Sequence, residues 1–408
     1  MDILFVLIIL IPLSTLATLI AWVGFYRDSK HAVRYAIFYL YGVFILSYSL
    51  VPDHALDLNR YWEKIERLNG LSLAGTVEAL NDQLYVENVV FWLVGKLKML
   101  HLLPAISTSI VYGVSTYIIV DSSKRMGHGI NIFYVLLFQS LVFPYLSIVA
   151  NVRNICAFAI GIAAVYRELV QKKRDIFTLL GYILPIFMHK TGLLILIVRL
   201  LIIIFRRHMA VAISIVLLLP TIISTAYANI RFIPGSGFLG ILLRRLIVSS
   251  YNYLIGGSEY AERLAQSRAY IVKYVAIVCI VMQAYLLFKH YRNHPEKEFS
   301  QMCVFSFLMS MIALATTVFD TPAYWRFGMA CNISFFPTLL YYFNEGKNEF
   351  KVNGELIKWM FIVIAGLRFA IEAYRSIPRI DFSDTLDLLL STNLYTIIIN
   401  VFKGLLTM

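Results

Sequence analysis

Charge is what this sequence has least of. Only 15% of its 408 residues are Asp, Glu, Lys or Arg, whereas a soluble domain carries about 25%. So few charges cannot cover a water-exposed surface. Cysteine is scarce as well. Cys156, Cys279, Cys303 and Cys331 lie far apart inside apolar runs, which excludes a disulfide framework or a zinc spacing. There is no P-loop, no Gly-rich dinucleotide turn and no serine nucleophile elbow, so no nucleotide site is expected on either face. No second His or Cys stands at ligand spacing from His189, so no metal and no cofactor is expected. No folded soluble region exists to carry a DNA-binding motif, so the net charge of +12 does not signal nucleic acid. No internal repeat is evident.

What is present is hydrocarbon. Hydrophobic residues make up 60% of the chain, and mean hydropathy is +0.74. The apolar residues come in long blocks, such as Ile3 to Tyr26 and Ile130 to Ala150. Blocks of ~18–25 residues match the thickness of the bilayer core. Hydrocarbon offers no partner to a bare peptide group, so such blocks are helices. The first block has no basic start and no small-residue cleavage site, and reads as a retained helix rather than a signal peptide. The expected fold class is an all-α polytopic integral membrane protein, with residues 1–408 forming one transmembrane domain.

Lys and Arg orient it. Basic loops at Arg27–Arg34, Asp121–Gly129, Arg167–Asp175, Arg206–His208, Lys289–Lys297 and Asn344–Lys358 are assigned to the cytoplasm. About twelve spans follow: 3–25, 33–51, 104–120, 130–149, 153–168, 176–188, 190–205, 209–228, 269–289, 301–318, 326–343 and 356–373. Residues 386–405 offer a thirteenth span or an outer interfacial helix. Counting Tyr85–His101 as a span would put basic loops outside, so it is read as a re-entrant or interfacial helix on the outer face. Segments 176–188 and 190–205 are short, and short or broken helices often mark substrate sites.

Two long outer segments differ in charge. Residues 52–87 carry seven acidic and three basic side chains, and with the interfacial helix form an acidic region over 52–103. Residues 229–268 carry Arg231, Arg244, Arg245, Arg263 and Arg268 against Glu259 and Glu262. Such an asymmetry suits an anionic headgroup on one side and neutral hydroxyls on the other; ordinary solvated loop charge is the bland alternative.

Four groups can carry chemistry, because charges at the ends of apolar blocks are costly to bury. Asp53, Asp57, Arg60 and Tyr61 lie just beyond a span. A carboxylate there can take the proton of a sugar hydroxyl or bind hydroxyls without proton transfer, and Asp53 also suits a helix N-cap. Asn151, Arg153 and Asn154 open another span. The Arg153 guanidinium is a fork matched to phosphate oxygens, or else it snorkels to lipid headgroups. His189, Lys190 and Thr191 interrupt a long apolar stretch. His189 can hold a phosphate or move a proton, or serve as interhelical glue. Asp320, Tyr324 and Arg326 form a polar turn in which Arg326 is a second phosphate contact and the aromatics are alternatively interface anchors. Arg231, Arg244 and Arg245 are weaker phosphate candidates.

The stretch NVRNICAFAIGIAAV, a basic loop, then FMHKTGLL, with DLNRYWEKI and YVENVVFWLVGKL before it, resembles the EpsG/Wzy-like bacterial polysaccharide polymerases over roughly residues 50 to 330. The resemblance implies a GT-C-like membrane glycosyltransferase, independent of metal, with its site on the outer face of the cytoplasmic membrane. It implies an undecaprenyl-diphosphate-linked glycan donor and acceptor, with membrane lipids and a chain-length regulator protein as further partners. Carried over by position, Arg153 and His189, with Arg326, contact the donor diphosphate, and Asp57 and Tyr61 sit near the acceptor sugar. Lys190, Arg244 and Arg245 are further candidates for the diphosphate, and Asp53, Glu87, Asn151 and Tyr324 for the sugar and acceptor. A lipid-linked oligosaccharide flippase or transporter, an O-antigen ligase and a membrane acyltransferase are the competing readings.

Overall fold

The computed structural model describes residues 14–27, 31–52, 57–80, 84–127, 130–205, 208–233, 240, 243–244, 247–248, 250–251, 269–293, 299–317, 323–344, 354–376 and 380–406. Among them the chain forms 18 α-helices, one 3-10 turn and no strand. Five of the shorter helices cover residues 57–97 and 133–150: α3 (Asp57–Arg67), α4 (Leu73–Leu80), α5 (Tyr85–Leu97), α7 (Phe133–Val142) and α8 (Tyr145–Ala150). The rest are α1 (Ser14–Arg27), α2 (Ala32–Ser49), α6 (Leu102–Met126), α9 (Asn154–Leu169), α10 (Ile176–Met188), α11 (Gly192–Ile204), α12 (Met209–Ala228), α13 (Ala269–Asn293), α14 (Ser300–Thr316), α15 (Ala323–Asn344), α16 (Gly354–Ser376), α17 (Phe382–Ser391) and α18 (Leu394–Leu406).

Helix α15 is the centre. All but three of its 22 residues are buried, and a helix apolar all round belongs inside a bundle. Helices α6, α7, α9, α13, α14 and α16 pack around it. Peripheral helices show the reverse pattern. Helix α10 buries only Thr178 and Pro185, and α12 only Ala212, Val216 and Pro220. Their outward faces expose Ile183, Phe187, Leu217, Leu218 and Ile222. Apolar side chains on the outside and packed ones within are what a lipid-facing bundle requires.

Four of the described helices, α2, α6, α12 and the part of α13 from Ile271, are long and apolar enough to cross a membrane, and α17 with α18 is a fifth if that bent pair counts as one span. This fits an all-α membrane protein. It is fewer than the twelve or thirteen expected from charge, for identifiable reasons. The 130–149 block is two helices, not one. Pro144 lacks an amide hydrogen and drives Phe143 to an extended ψ of 104°. The 386–405 segment bends by 90° between α17 and α18. Helices α10 and α11 have 13 residues each. Helix α16 carries Glu355, Lys358, Arg368 and Glu372. Helix α5, also 13 residues, spans about 20 Å, less than the ~30 Å core. Helix α17 is tied to the end of α2: the Asp381 amide donates to the Val51 carbonyl at 3.1 Å, and the Val51 amide to Thr385 Oγ1 at 3.0 Å.

Candidate functional site

The site begins at a break. Helix α10 ends at Met188 and is capped by His189, whose amide donates to the Pro185 carbonyl at 2.9 Å. Helix α11 then starts at Gly192, packed onto that last turn. A Cβ at Gly192 would stand 2.4 Å from the Pro185 carbonyl oxygen, so only glycine permits the approach. The Thr191 hydroxyl donates to Asn154 Oδ1 at 2.9 Å. Asn154 is the first residue of α9, so the N-termini of α9 and α11 meet here. Helix N-termini carry partial positive charge and favour anions.

His189 is partly buried at this junction. Its Nδ1 lies 2.7 Å from Thr191 Oγ1 and accepts the Thr191 amide at 3.2 Å, which fixes the ring. Burial first, then the charges of Arg153, Arg326 and Lys190, push its pKa down to about 3. It is therefore a neutral imidazole at physiological pH. The same electrostatics show that residues from α9, α15 and the α10–α11 break act on one ring.

Arg153, at the N-cap of α9, links this junction to α3 and α5. Its Nη1 donates to both oxygens of Glu87, at 2.8 and 2.9 Å. Its Nε donates to the Tyr61 hydroxyl at 3.1 Å, and its guanidinium stands 4.9 Å from the Tyr61 ring centroid. Glu87 is 2% exposed and also accepts from Lys64 Nζ at 3.4 Å. Helix α3 thus supplies Tyr61 and Lys64, one turn apart on one face, and α5 supplies Glu87.

The other expected residues fall as follows. Lys190 is exposed beside His189. Arg326 is partly buried and Tyr324 buried, both in the first turn of α15. Asp57 opens α3, exposed, 3.4 Å from Arg60; it is one turn before Tyr61 and makes no contact with Arg153. Asn151 caps α8 by donating to the Ser147 carbonyl at 2.9 Å. Arg244 donates from Nε to the Ile233 carbonyl at 2.8 Å and from Nη2 to the same oxygen, so it serves its own loop. Asp53, Arg245 and Asp320 lie outside the described residues.

Sequence reasoning did not assign Glu87 to Arg153, because the two are 66 residues apart and meet only through packing. It also missed Glu168 and Arg199. Arg199 donates from Nε and Nη2 to the two Glu168 oxygens at 2.9 and 2.8 Å, and the Tyr182 hydroxyl adds a third bond at 2.7 Å. A lone arginine within GLLILIVRLLIII was the available signal. This network clamps α10 and α11 to α9. Among the described residues no group of three His, Cys, Asp or Glu side chains is placed to hold a metal ion, and the four cysteines are buried and free. No family model matches the chain, and no curated protein and no solved structure matches it either.

Proposed function

We propose that this chain is a membrane glycosyltransferase that polymerises polyprenyl-diphosphate-linked oligosaccharide units on the outer face of a bacterial cytoplasmic membrane. The observation that supports it most is the meeting of two helix N-termini at Asn154 and Thr191, with His189 held on that junction by Thr191 and within electrostatic reach of Arg153, Arg326 and Lys190. That arrangement favours a multiply charged anion at the end of an apolar bundle. A diphosphate bearing a hydrocarbon tail has that chemistry.

In this reading the acceptor hydroxyl oxygen bonds to the donor's anomeric carbon as the carbon–oxygen bond to diphosphate breaks. The hydroxyl proton passes to a carboxylate, for which Asp57 is the candidate. Charge builds on the leaving diphosphate, and preorganised cations in a partly dry site stabilise it more than water does. Glu87 and Tyr61 orient Arg153. The neutral His189 donates or takes up a proton once the phosphate arrives. The shorter and kinked helices then also lie within the bilayer, giving about twelve crossings in a GT-C-like arrangement.

The test is the surface polysaccharide of a deletion strain complemented with wild type, Arg153→Ala or His189→Ala. Collapse of the long-chain ladder to a single repeat unit, restored by wild type and by neither variant, is the expected result. Loss of the single-unit band as well would move the assignment to a flippase or an O-antigen ligase.

A further inference from the structure

Beyond the Arg153 junction, α3 and α5 run on side by side in one direction. The rings of Tyr61 and Phe91 stand 5.8 Å apart, and one turn later Gly95 meets Ile65. A Cβ at Gly95 would stand 3.2 Å from Ile65 Cγ2, so the missing side chain lets the two helices close up. Both then end together. The Leu68 and Asn69 amides fold back onto the Ile65 and Glu66 carbonyls at 3.1 Å. The Lys98 amide donates to the Gly95 carbonyl at 3.1 Å, with Lys98 in the left-handed region at φ 53°. Between these ends Ile65, Glu66, Asn69, Gly95, Lys98 and Leu100 line a cavity of about 200 Å³.

The lining is chemically mixed. Glu66, Asn69 and Lys98 are exposed, and among them a carboxylate accepts, an ammonium donates and an amide does both. The charges of Glu66 and Lys98 offset each other, so neither a cation nor an anion is favoured. Ile65, Gly95 and Leu100 add an apolar wall. Drug-sized ligands occupy pockets of ~300–1,000 Å³, so this cavity has room for a single ring. Lys98 is a second signal. Glycine is the usual residue at a left-handed helix end, because a Cβ is disfavoured there. A lysine at that position brings an ammonium to the cavity at a cost to the backbone, and such positions cluster at ligand sites. Lys172 is also left-handed, but its Nζ serves the Leu169 carbonyl at 2.6 Å.

We infer that this cavity holds one neutral pyranose ring of a glycan whose reacting end lies at Arg153. A sugar ring presents hydroxyls that both donate and accept, and a C–H face that suits the apolar wall. Eleven residues separate Glu87, the partner of Arg153, from Lys98, about 16 Å of helix, which a short oligosaccharide spans. The inference rests on the glycosyltransferase reading for the class of its ligand.

The experiment uses the full-length protein in a neutral detergent. The probe is an oligosaccharide released by mild acid from the host strain's own surface polysaccharide and labelled with a fluorophore, and binding is read by fluorescence anisotropy. Wild type is expected to bind it. Lys98→Gly should weaken binding about tenfold, as one charge-assisted hydrogen bond is lost. Its unfolding midpoint should match or exceed that of wild type, because glycine suits the left-handed backbone. A merely structural Lys98 would not give weaker binding in a protein that is no less stable. Asn69→Ala should weaken binding as well. No binding by wild type, or equal affinity in Lys98→Gly, overturns the inference. The polysaccharide ladder reports separately on the reaction: an unaltered ladder in the deletion strain defeats the glycosyltransferase reading, whereas Lys98-dependent binding would still place a glycan in the cavity.

Discussion

The most quantitative consequence concerns His189. Its pKa stands at about 3 in the folded protein against 6.5 for the free side chain, so between these values the unfolded chain binds a proton that the folded chain refuses. Stability therefore rises with pH through this window and falls as pH drops below about 6.5. Integrating the one-site linkage from pH 7 to pH 5 gives a loss of about 2 kcal/mol, and full protonation of the unfolded state continues at about 1.4 kcal/mol per pH unit. The measurement is thermal or denaturant unfolding of wild type and His189→Gln across that range. His189→Gln lacks the proton site, so the difference between the two profiles isolates this group from every other carboxylate and histidine. The wild type should lose about 2 kcal/mol more than His189→Gln on going from pH 7 to pH 5. An added diphosphate should flatten the difference, because an anion beside the ring offsets Arg153, Arg326 and Lys190 and lets the imidazole charge. Superposable profiles would refute the reasoning, since they would mean that His189 is neither shielded nor surrounded by cations.

Three further outcomes follow from the geometry. Glu87→Ala should destabilise the protein by about 1–3 kcal/mol in unfolding experiments, because it removes the shared acceptor of Arg153 and Lys64, both only partly exposed, whereas Glu87→Gln keeps one acceptor and should cost less. Gly192→Ala should cost about 1–3 kcal/mol and disturb the His189 junction, as its Cβ meets the Pro185 carbonyl at 2.4 Å; an unchanged melting midpoint would contradict that contact. Arg153→Ala should lower polymerisation in a membrane assay by a factor of about 10²–10³, and Arg153→Lys should recover little because it loses the fork that spans Glu87 and Tyr61.

The break at Phe143–Pro144 shows where reading by hydropathy stops. Residues 130–149 carry no charge and are mostly apolar, so a window sees one span, yet a single missing amide hydrogen divides it into α7 and α8. The elbow between α17 and α18 is a similar case. The helical class itself was legible, because a chain with 15% charge and membrane-length apolar blocks has no other way to pair its backbone. The candidate residues Arg153, His189, Lys190 and Arg326 were legible too, since each is a polar interruption at the end of an apolar run. Their assembly was not. Arg153 and Glu87 are separated by 66 residues, and Asn154 and Thr191 by 37; such pairs arise only when α5, α9 and the α10–α11 break pack together. The same holds for Arg199 with Glu168. The sequence by itself determined the composition, hence the solvent this chain folds in and the identity of its costly charges. Only the tertiary structure decided which charge faces which, because electrostatic and hydrogen-bond energies fall off over a few ångströms, and separation along the chain says nothing about distances that short.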